Sequence, residues 1–252
     1  MISLVTCCKS PTQQTLQEQN AAKTVGTEHE IIAIDGSSPT VNVAAAYNRA
    51  ALAAKGDLVV FIADDCYLMN ELWGTALSAK FSAAPELGIA GVAGTQYFFA
   101  DKSSWTAAGR PYVKGRIVYH PENDELFAVV FSADRQDTPV VACDGCFMAV
   151  RKSLFDKCLF DEETFPGRHF YDLDFCLRAA RRALVIVTSD VTVSKRHQPV
   201  FDKEWREAGE EFLRKNREIL PASCADSVPD PEHFVPSAVV DLKGKVSARI
   251  IC

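Results

Sequence analysis

The chain has 252 residues, of which 48% are hydrophobic and 24% charged, an ordinary globular composition long enough to bury one sizeable core. Its net charge of −6 argues against a general nucleic-acid binder, which carries a basic excess. No run approaches the roughly 20 apolar residues that cross a bilayer, Met1-Ile2-Ser3-Leu4-Val5 lacks the basic flank of a signal peptide, and nine scattered cysteines suit reduced core residues of a cytosolic protein.

The first half alternates strands and helices. Ile2 to Cys7 reads as a strand, and Thr12 to Ala22 as a polar-faced helix after Pro11. Glu30 to Ile34 is a second strand, ending in the turn cluster Asp35-Gly36-Ser37-Ser38-Pro39. Val41, Ala44, Ala45, Asn48, Ala51 and Leu52 follow helical spacing, with Gly56 expected as the C-cap. Leu58-Val59-Val60-Phe61-Ile62 is a buried strand that runs straight into Ala63-Asp64-Asp65. Asn70 is expected to cap a helix carrying Leu72, Trp73, Ala76, Leu77 and Phe81, and Leu87 to Val92 forms the next strand. This βαβαβαβ order implies a largely parallel sheet with covering helices.

The second half changes character. Gly115 to His120 and Leu126 to Phe131 are strand-like runs around the turn Pro121 to Glu125, a hairpin expected outside the main sheet. Val140 to Val150 reads as a core strand interrupted at Asp144-Gly145. Tyr171 to Ala183 is a helix with Leu173, Leu177 and Ala180 inward and Arg178, Arg181 and Arg182 outward. Leu184 to Val187 is a strand, and Asp202 caps a last helix bearing Trp205, Ala208 and Phe212 that ends at Pro221. Beyond Ala222 the pattern gives no role, including for the apolar end from Val235 to Cys252.

Polar interruptions point to function. A strand that ends on adjacent carboxylates is costly unless they face a cation or ligand, and ligands of open α/β sheets collect at the carboxyl ends of strands. Asp35, Asp64, Asp65, Asp144, Asp172, Asp174 and His197 all fall where they could meet along one such edge. Cys143 and Cys146 have the spacing of a zinc or redox pair. A structural zinc site needs a second pair, which the chain lacks, and strand-like runs flank this one, so packing is expected.

The ordered set of segments resembles the family-2 glycosyltransferases with the GT-A fold, from about Ile2 to His197. The segments are Glu30 to Ser38, Ala46-Tyr47-Asn48-Arg49-Ala50, Ala54-Lys55-Gly56-Asp57, Phe61 to Asp65, Asp144 to Arg151, Leu159 to Glu162 and Tyr171 to Arg178. The resemblance implies an α/β three-layer sandwich, with a mostly parallel central sheet flanked by helices and a small acceptor-side β-hairpin. It implies a glycosyltransferase domain over 1–220, divided into a nucleotide-binding half (1–98) and an acceptor-side half (99–200), with a C-terminal extension over 221–252.

By the same resemblance, Thr6 and Asp35 hold the nucleotide base, and Asp64 contacts the ribose or sugar. Asp65 and His197 ligate a divalent cation, Mn2+ or Mg2+, on the diphosphate. Asp172 is the general base of an inverting transfer to a hydroxyl acceptor, and Asp144, Gly145, His169 and Asp174 lie on the acceptor side. Asp35 also reads as a simple turn-former, and Asp172 and Asp174 as helix-start acids. Lys195 and Arg196, beside His197, either attract phosphate or are solvated. Trp105 either stacks on a sugar or packs in the core. The chain departs from the family at Ala63, the place of the motif's first acid, and at Tyr171, where Glu is common.

The resulting expectation is an inverting, metal-assisted transferase acting on a nucleotide-diphosphate sugar, with UDP the favoured nucleotide. It is expected in the cytoplasm, or at the membrane surface through its acceptor. The alternatives are a non-catalytic nucleotide-sugar-binding protein of the same fold, and a nucleotidyltransferase. The latter would want a glycine-rich basic loop that Thr6 to Pro11 does not supply.

Overall fold

The computed structural model describes residues 1–38, 40–121 and 125–243. Chain order begins with β1 (Ile2–Cys8), α1 (Pro11–Thr24), β2 (His29–Asp35), α2 (Val43–Ala53) and β3 (Leu58–Ile62). Ser10 caps α1 by accepting from Gln13 N, and Asn42 caps α2 by accepting from Ala45 N. There follow β4 (Cys66–Leu68), α3 (Trp73–Ala83), β5 (Leu87–Gly91), β6 (Ala93–Thr95) and β7 (Tyr97–Phe98). The second half holds β8 (Val113–Tyr119), β9 (Phe127–Val130), β10 (Thr138–Pro139), β11 (Ala142–Cys143), β12 (Phe147–Arg151), α4 (Lys152–Phe155) and α5 (Tyr171–Ala179). The chain then forms β13 (Leu184–Val187), β14 (Val193–Lys195), α6 (Lys203–Asn216), β15 (Ala222–Ser223) and β16 (Ala238–Asp241).

Among the described residues, the main sheet has the strand order β10-β13-β5-β12-β3-β1-β2. Strands β2, β1 and β3 are parallel, as are β5 and β13, while β12 runs antiparallel between β3 and β5. The expected mostly parallel sheet is therefore present, with β12 and β10 reversed. A second sheet, in the order β11-β6-β8-β14-β4, takes in the hairpin β8–β9, and β16 pairs with the far side of β9. Of the hairpin's turn, residues 122–124 lie outside the described residues, as does the apolar end from residue 244 on.

The core of the main sheet is aromatic and aliphatic. Phe61, Phe155, Phe160 and Phe175 meet in tilted and edge-to-face pairs at centroid distances of 4.9–5.5 Å, and Trp73 meets Phe147 at 5.8 Å. Such geometries add to the area that the rings bury.

Several local expectations are corrected. Val140 to Val150 is not one strand. Asp144 Oδ1 accepts from Cys146 N at 2.9 Å, an Asx turn that ends β11 in the second sheet and sends β12 into the first. Asn70 does not cap α3. Leu72, in the left-handed region at φ 60°, occupies that position, while the Asn70 amide donates to Asp190 O and accepts from Thr192 N. Gly56 does not cap α2, which ends at Ala53. Its N–H donates to Ser3 Oγ, and a Cβ there would lie 2.7 Å from Ser3 N, so close approach to β1 is what requires glycine. Helix α5 ends at Ala179, and Arg178 is not solvated: it binds Asp174, the Cys158 thiol and Leu159 O.

A candidate functional site at the seam of two sheets

The two acidic turns occupy equivalent places. Ala63-Asp64-Asp65 joins β3 of the main sheet to β4 of the second, and Asp144-Gly145-Cys146 joins β11 of the second sheet to β12 of the main one. Because β12 is antiparallel to β3, with Phe147 opposite Ile62, the start of β12 lies beside the end of β3, and Ala63 N donates to Cys146 O at 3.1 Å. Sheet topology thus brings two turns that are distant in the chain to one seam.

The first turn is held from below. Gln17 of α1 donates to the carbonyls of Ala63, Asp64 and Cys66 at 3.3, 3.1 and 2.7 Å. With its backbone fixed, Asp64 directs Oδ2 into a buried position where it has no hydrogen-bond partner in the protein. A buried carboxylate oxygen without a donor is unfavourable unless a ligand completes it. Asp65, 7% exposed, accepts through Oδ2 from both the backbone N–H and Nδ1 of His197 at 3.1 and 3.0 Å. The His197 side chain is itself 63% exposed.

The second turn meets α5. The Asp172 carboxylate lies directly over Gly145, where a Cβ would come within 2.9 Å of Asp172 Cγ, so only glycine admits it. Burial, and then the charge of Asp144, push the Asp172 carboxyl up to about 7, against backbone N–H groups of Leu173, Asp172 and Gly145 that stabilise the anion. Asp144 Oδ2 accepts from the Trp105 indole at 3.2 Å, and the Trp105 ring packs on Phe131 at 4.9 Å, so Trp105 is a core residue. Phe170, at φ 67°, begins α5 and wedges against Trp205 and Phe212. It is a strained conformation held by packing.

The remaining expected site residues divide. Asp35 ends β2 at the same rim but is exposed and accepts from Ser37 N at 2.9 Å, which lowers its pKa. That is the geometry of a turn-former. Thr6 is 1% exposed within β1, with its hydroxyl 3.7 Å from the Cys8 thiol. His169 is half-buried in the loop before α5. Asp174 is turned away from Gly145 and the seam: fully buried, it accepts from Arg178 Nε at 2.8 Å, Lys215 Nζ at 2.6 Å and Asn216 Nδ2 at 3.1 Å, which tie α5 to α6. Tyr171 packs on Tyr47 and Phe160 at 5.9 and 5.2 Å. Cys143 neighbours Cys176, and Cys146 neighbours Cys66, so these two cysteines face different partners within the core.

Two groups that the sequence did not single out belong here. Arg168, in the loop before α5, faces the end of β1. Burial raises the Cys7 thiol there, Arg168 lowers it, and Asp64, Cys8 and Asp35 raise it further, so these groups share one rim. Gln17 is the other, and a glutamine on a polar-faced helix carries no signal of such a role. Among the described residues, no three His, Cys, Asp or Glu side chains gather to hold a metal by themselves, and no helix is long and apolar enough to cross a membrane.

No curated protein matches the chain. Among solved structures, GalNAc-T7 with UDP, GalNAc and Mn2+ is similar at a TM-score of 0.54 and 8% identity, over 82% of this chain and 44% of that one. TarS of S. aureus in complex with UDP-GlcNAc gives 0.45 and 14%, over 79% and 59%. A197 from STIV gives 0.44 and 14%, over 79% and 87%. The chain thus spans less than half the length of the GalNAc-T7 chain. Its fold is that of the GT-A glycosyltransferases, and residues 5–218 match the model of a family described as "Glycosyltransferase like family", so the chain belongs to that family.

Proposed function

We propose that the chain is an inverting glycosyltransferase that moves a sugar from a nucleotide-diphosphate sugar, with UDP the expected nucleotide, to a hydroxyl acceptor. The observation that carries this reading is the Asp172 carboxylate over Gly145, its affinity for a proton tuned to about 7 beside Asp144. A general base works best with a pKa near the operating pH.

In the proposed reaction, Asp172 accepts the proton of the acceptor hydroxyl as that oxygen attacks the anomeric carbon. The bond from that carbon to the diphosphate oxygen breaks with its electron pair, releasing nucleoside diphosphate from the opposite face. Asp64, whose Oδ2 lacks a donor, accepts from a hydroxyl of the donor. Asp65 and His197 would hold a divalent cation, His197 exchanging its hydrogen bond to Asp65 Oδ2 for the ion, with substrate oxygens and water as the further ligands of a hard cation. A divalent cation held there would supply positive charge to the departing diphosphate. The GalNAc-T7 structure, of the same fold, contains UDP and Mn2+. Tyr171, packed among aromatic rings, leaves the base role to Asp172 alone.

The test is nucleoside diphosphate release from a panel of nucleotide sugars, for wild type and Asp172→Asn. The variant is expected to lose about 10²–10⁴-fold in turnover while binding nucleoside diphosphate about as tightly as wild type. Transfer by Asp172→Asn at the wild-type rate overturns the base assignment. Release of pyrophosphate would instead indicate nucleotidyl transfer.

A further inference from the structure

Lys195 ends β14 opposite Cys66 of β4, the residue after Asp65. Its backbone is locked on both sides: His120 N donates to Lys195 O at 2.9 Å, and Arg196 N donates to Asp65 O at 3.0 Å. Strand alternation sends neighbouring side chains to opposite faces, so Lys195 faces the seam while Arg196 turns out over the Tyr67 ring at 5.5 Å. Its side chain shares the face of Cys66 across the β14–β4 pairing and lies within electrostatic reach of Asp144, Cys66, Cys146 and Asp65. The same ammonium acts on Tyr119 and Cys146. It is thus a fixed positive charge between the two acidic turns, and among the described residues it has neither an ion pair nor a hydrogen bond from its side chain. Arg168 and Arg196, the other cations at this rim, sit in bends outside the strands and helices.

We propose that Lys195 is a built-in cation for the donor's diphosphate: its ammonium donates to the phosphate oxygens and shares the negative charge that develops on the leaving group, so that diphosphate binds here even without divalent metal. This deepens the glycosyltransferase reading and rests on it. An ammonium is a compact point charge well suited to phosphate. It also offsets the position where Ala63 stands in place of an acid, since a site with one acid fewer holds a cation less tightly. Lys195 undergoes no proton transfer: the acceptor's proton goes to Asp172, and the electron pair of the broken carbon–oxygen bond stays on the diphosphate oxygen that Lys195 contacts.

The experiment measures binding of UDP, uridine and inorganic pyrophosphate to wild type, Lys195→Met and Lys195→Arg, by calorimetry and thermal shift, with EDTA and separately with Mn2+. Wild type is expected to bind UDP and pyrophosphate in EDTA. Lys195→Met should lose at least about tenfold for both ligands in EDTA, the scale of one charge-assisted hydrogen bond, with uridine unchanged. Lys195→Arg should recover most of that loss. A folded Lys195→Met that binds pyrophosphate in EDTA as wild type does overturns the proposal. If Lys195→Met does not fold, wild type decides alone: binding of UDP and pyrophosphate with Mn2+ but not with EDTA overturns the role of Lys195 and leaves the transferase reading standing. Binding of neither ligand under either condition overturns both.

Discussion

Asp172 and Asp174 stand two residues apart in one helix turn and have opposite uses. Two positions along an α-helix differ by roughly 200° around its axis, so one carboxylate faces Gly145 and the other faces Lys215 and Asn216. The first is left with a raised pKa of about 7. A base must be ionised to work, so kcat/KM is predicted to fall below a limb near pH 7. Asp144→Asn, which keeps an oxygen for Cys146 N, should shift that limb to lower pH by removing the neighbouring charge. An unmoved limb in a pH–rate profile would show that Asp144 does not tune the base. The raised value also affects stability. A carboxyl whose folded pKa lies above its ordinary one favours folding below about pH 4 and loses that contribution as pH rises to about 7. Asp172→Asn, which never ionises, is therefore predicted to melt higher than wild type at about pH 8, with the gain vanishing toward about pH 4.

At the scale of elements, Asp174 is a lock between α5 and α6. Removing it takes a fully buried acceptor from Arg178, Lys215 and Asn216, although Lys215 keeps Asp161 and Arg178 keeps Leu159 O, at a cost of about 1–3 kcal/mol. Asp174→Ala should accordingly unfold at lower denaturant concentration than wild type, unlike Asp172→Asn. Equal stability of the two variants would contradict the division of roles.

The sequence conveyed the elements whose periodicity is plain. The Ile62–Asp65 junction was legible because carboxylates at the end of a buried strand are costly unless a cation or ligand meets them. It did not convey the break inside Val140–Val150, since an Asx turn between apolar runs reads as an interruption within one strand. Nor did it convey the Leu72 start of α3, where packing imposes a left-handed residue that no capping preference anticipates. Acidic residues at a helix start look alike in sequence, so only the contact of Asp172 with Gly145 and of Asp174 with Lys215 separates them. Lys195 was legible only as one of two adjacent cations, because the choice between seam and solvent depends on strand register.

At the scale of the molecule, the candidate site lies where two sheets exchange strands at one seam. The chain crosses between the sheets several times, and two of those crossings, at Asp64-Asp65 and at Asp144-Gly145, leave carboxylates at one rim. α5 then supplies Asp172, and β14 supplies Lys195 and leads into His197. In the proposed reading, the unsatisfied Asp64 Oδ2 accepts from a hydroxyl of the ligand and the Lys195 ammonium, opposite Cys66, meets its phosphates. A ligand that binds only the folded state must raise its apparent stability. The most direct measurement is thermal shift of wild type and Asp65→Ala against a panel of nucleoside diphosphates, with and without Mn2+. At least one nucleoside diphosphate is predicted to raise the melting temperature of wild type, Mn2+ to enlarge the rise, and Asp65→Ala to lose the enlargement. No shift of wild type with any nucleoside diphosphate, in the presence of Mn2+, would contradict a nucleotide site at this seam.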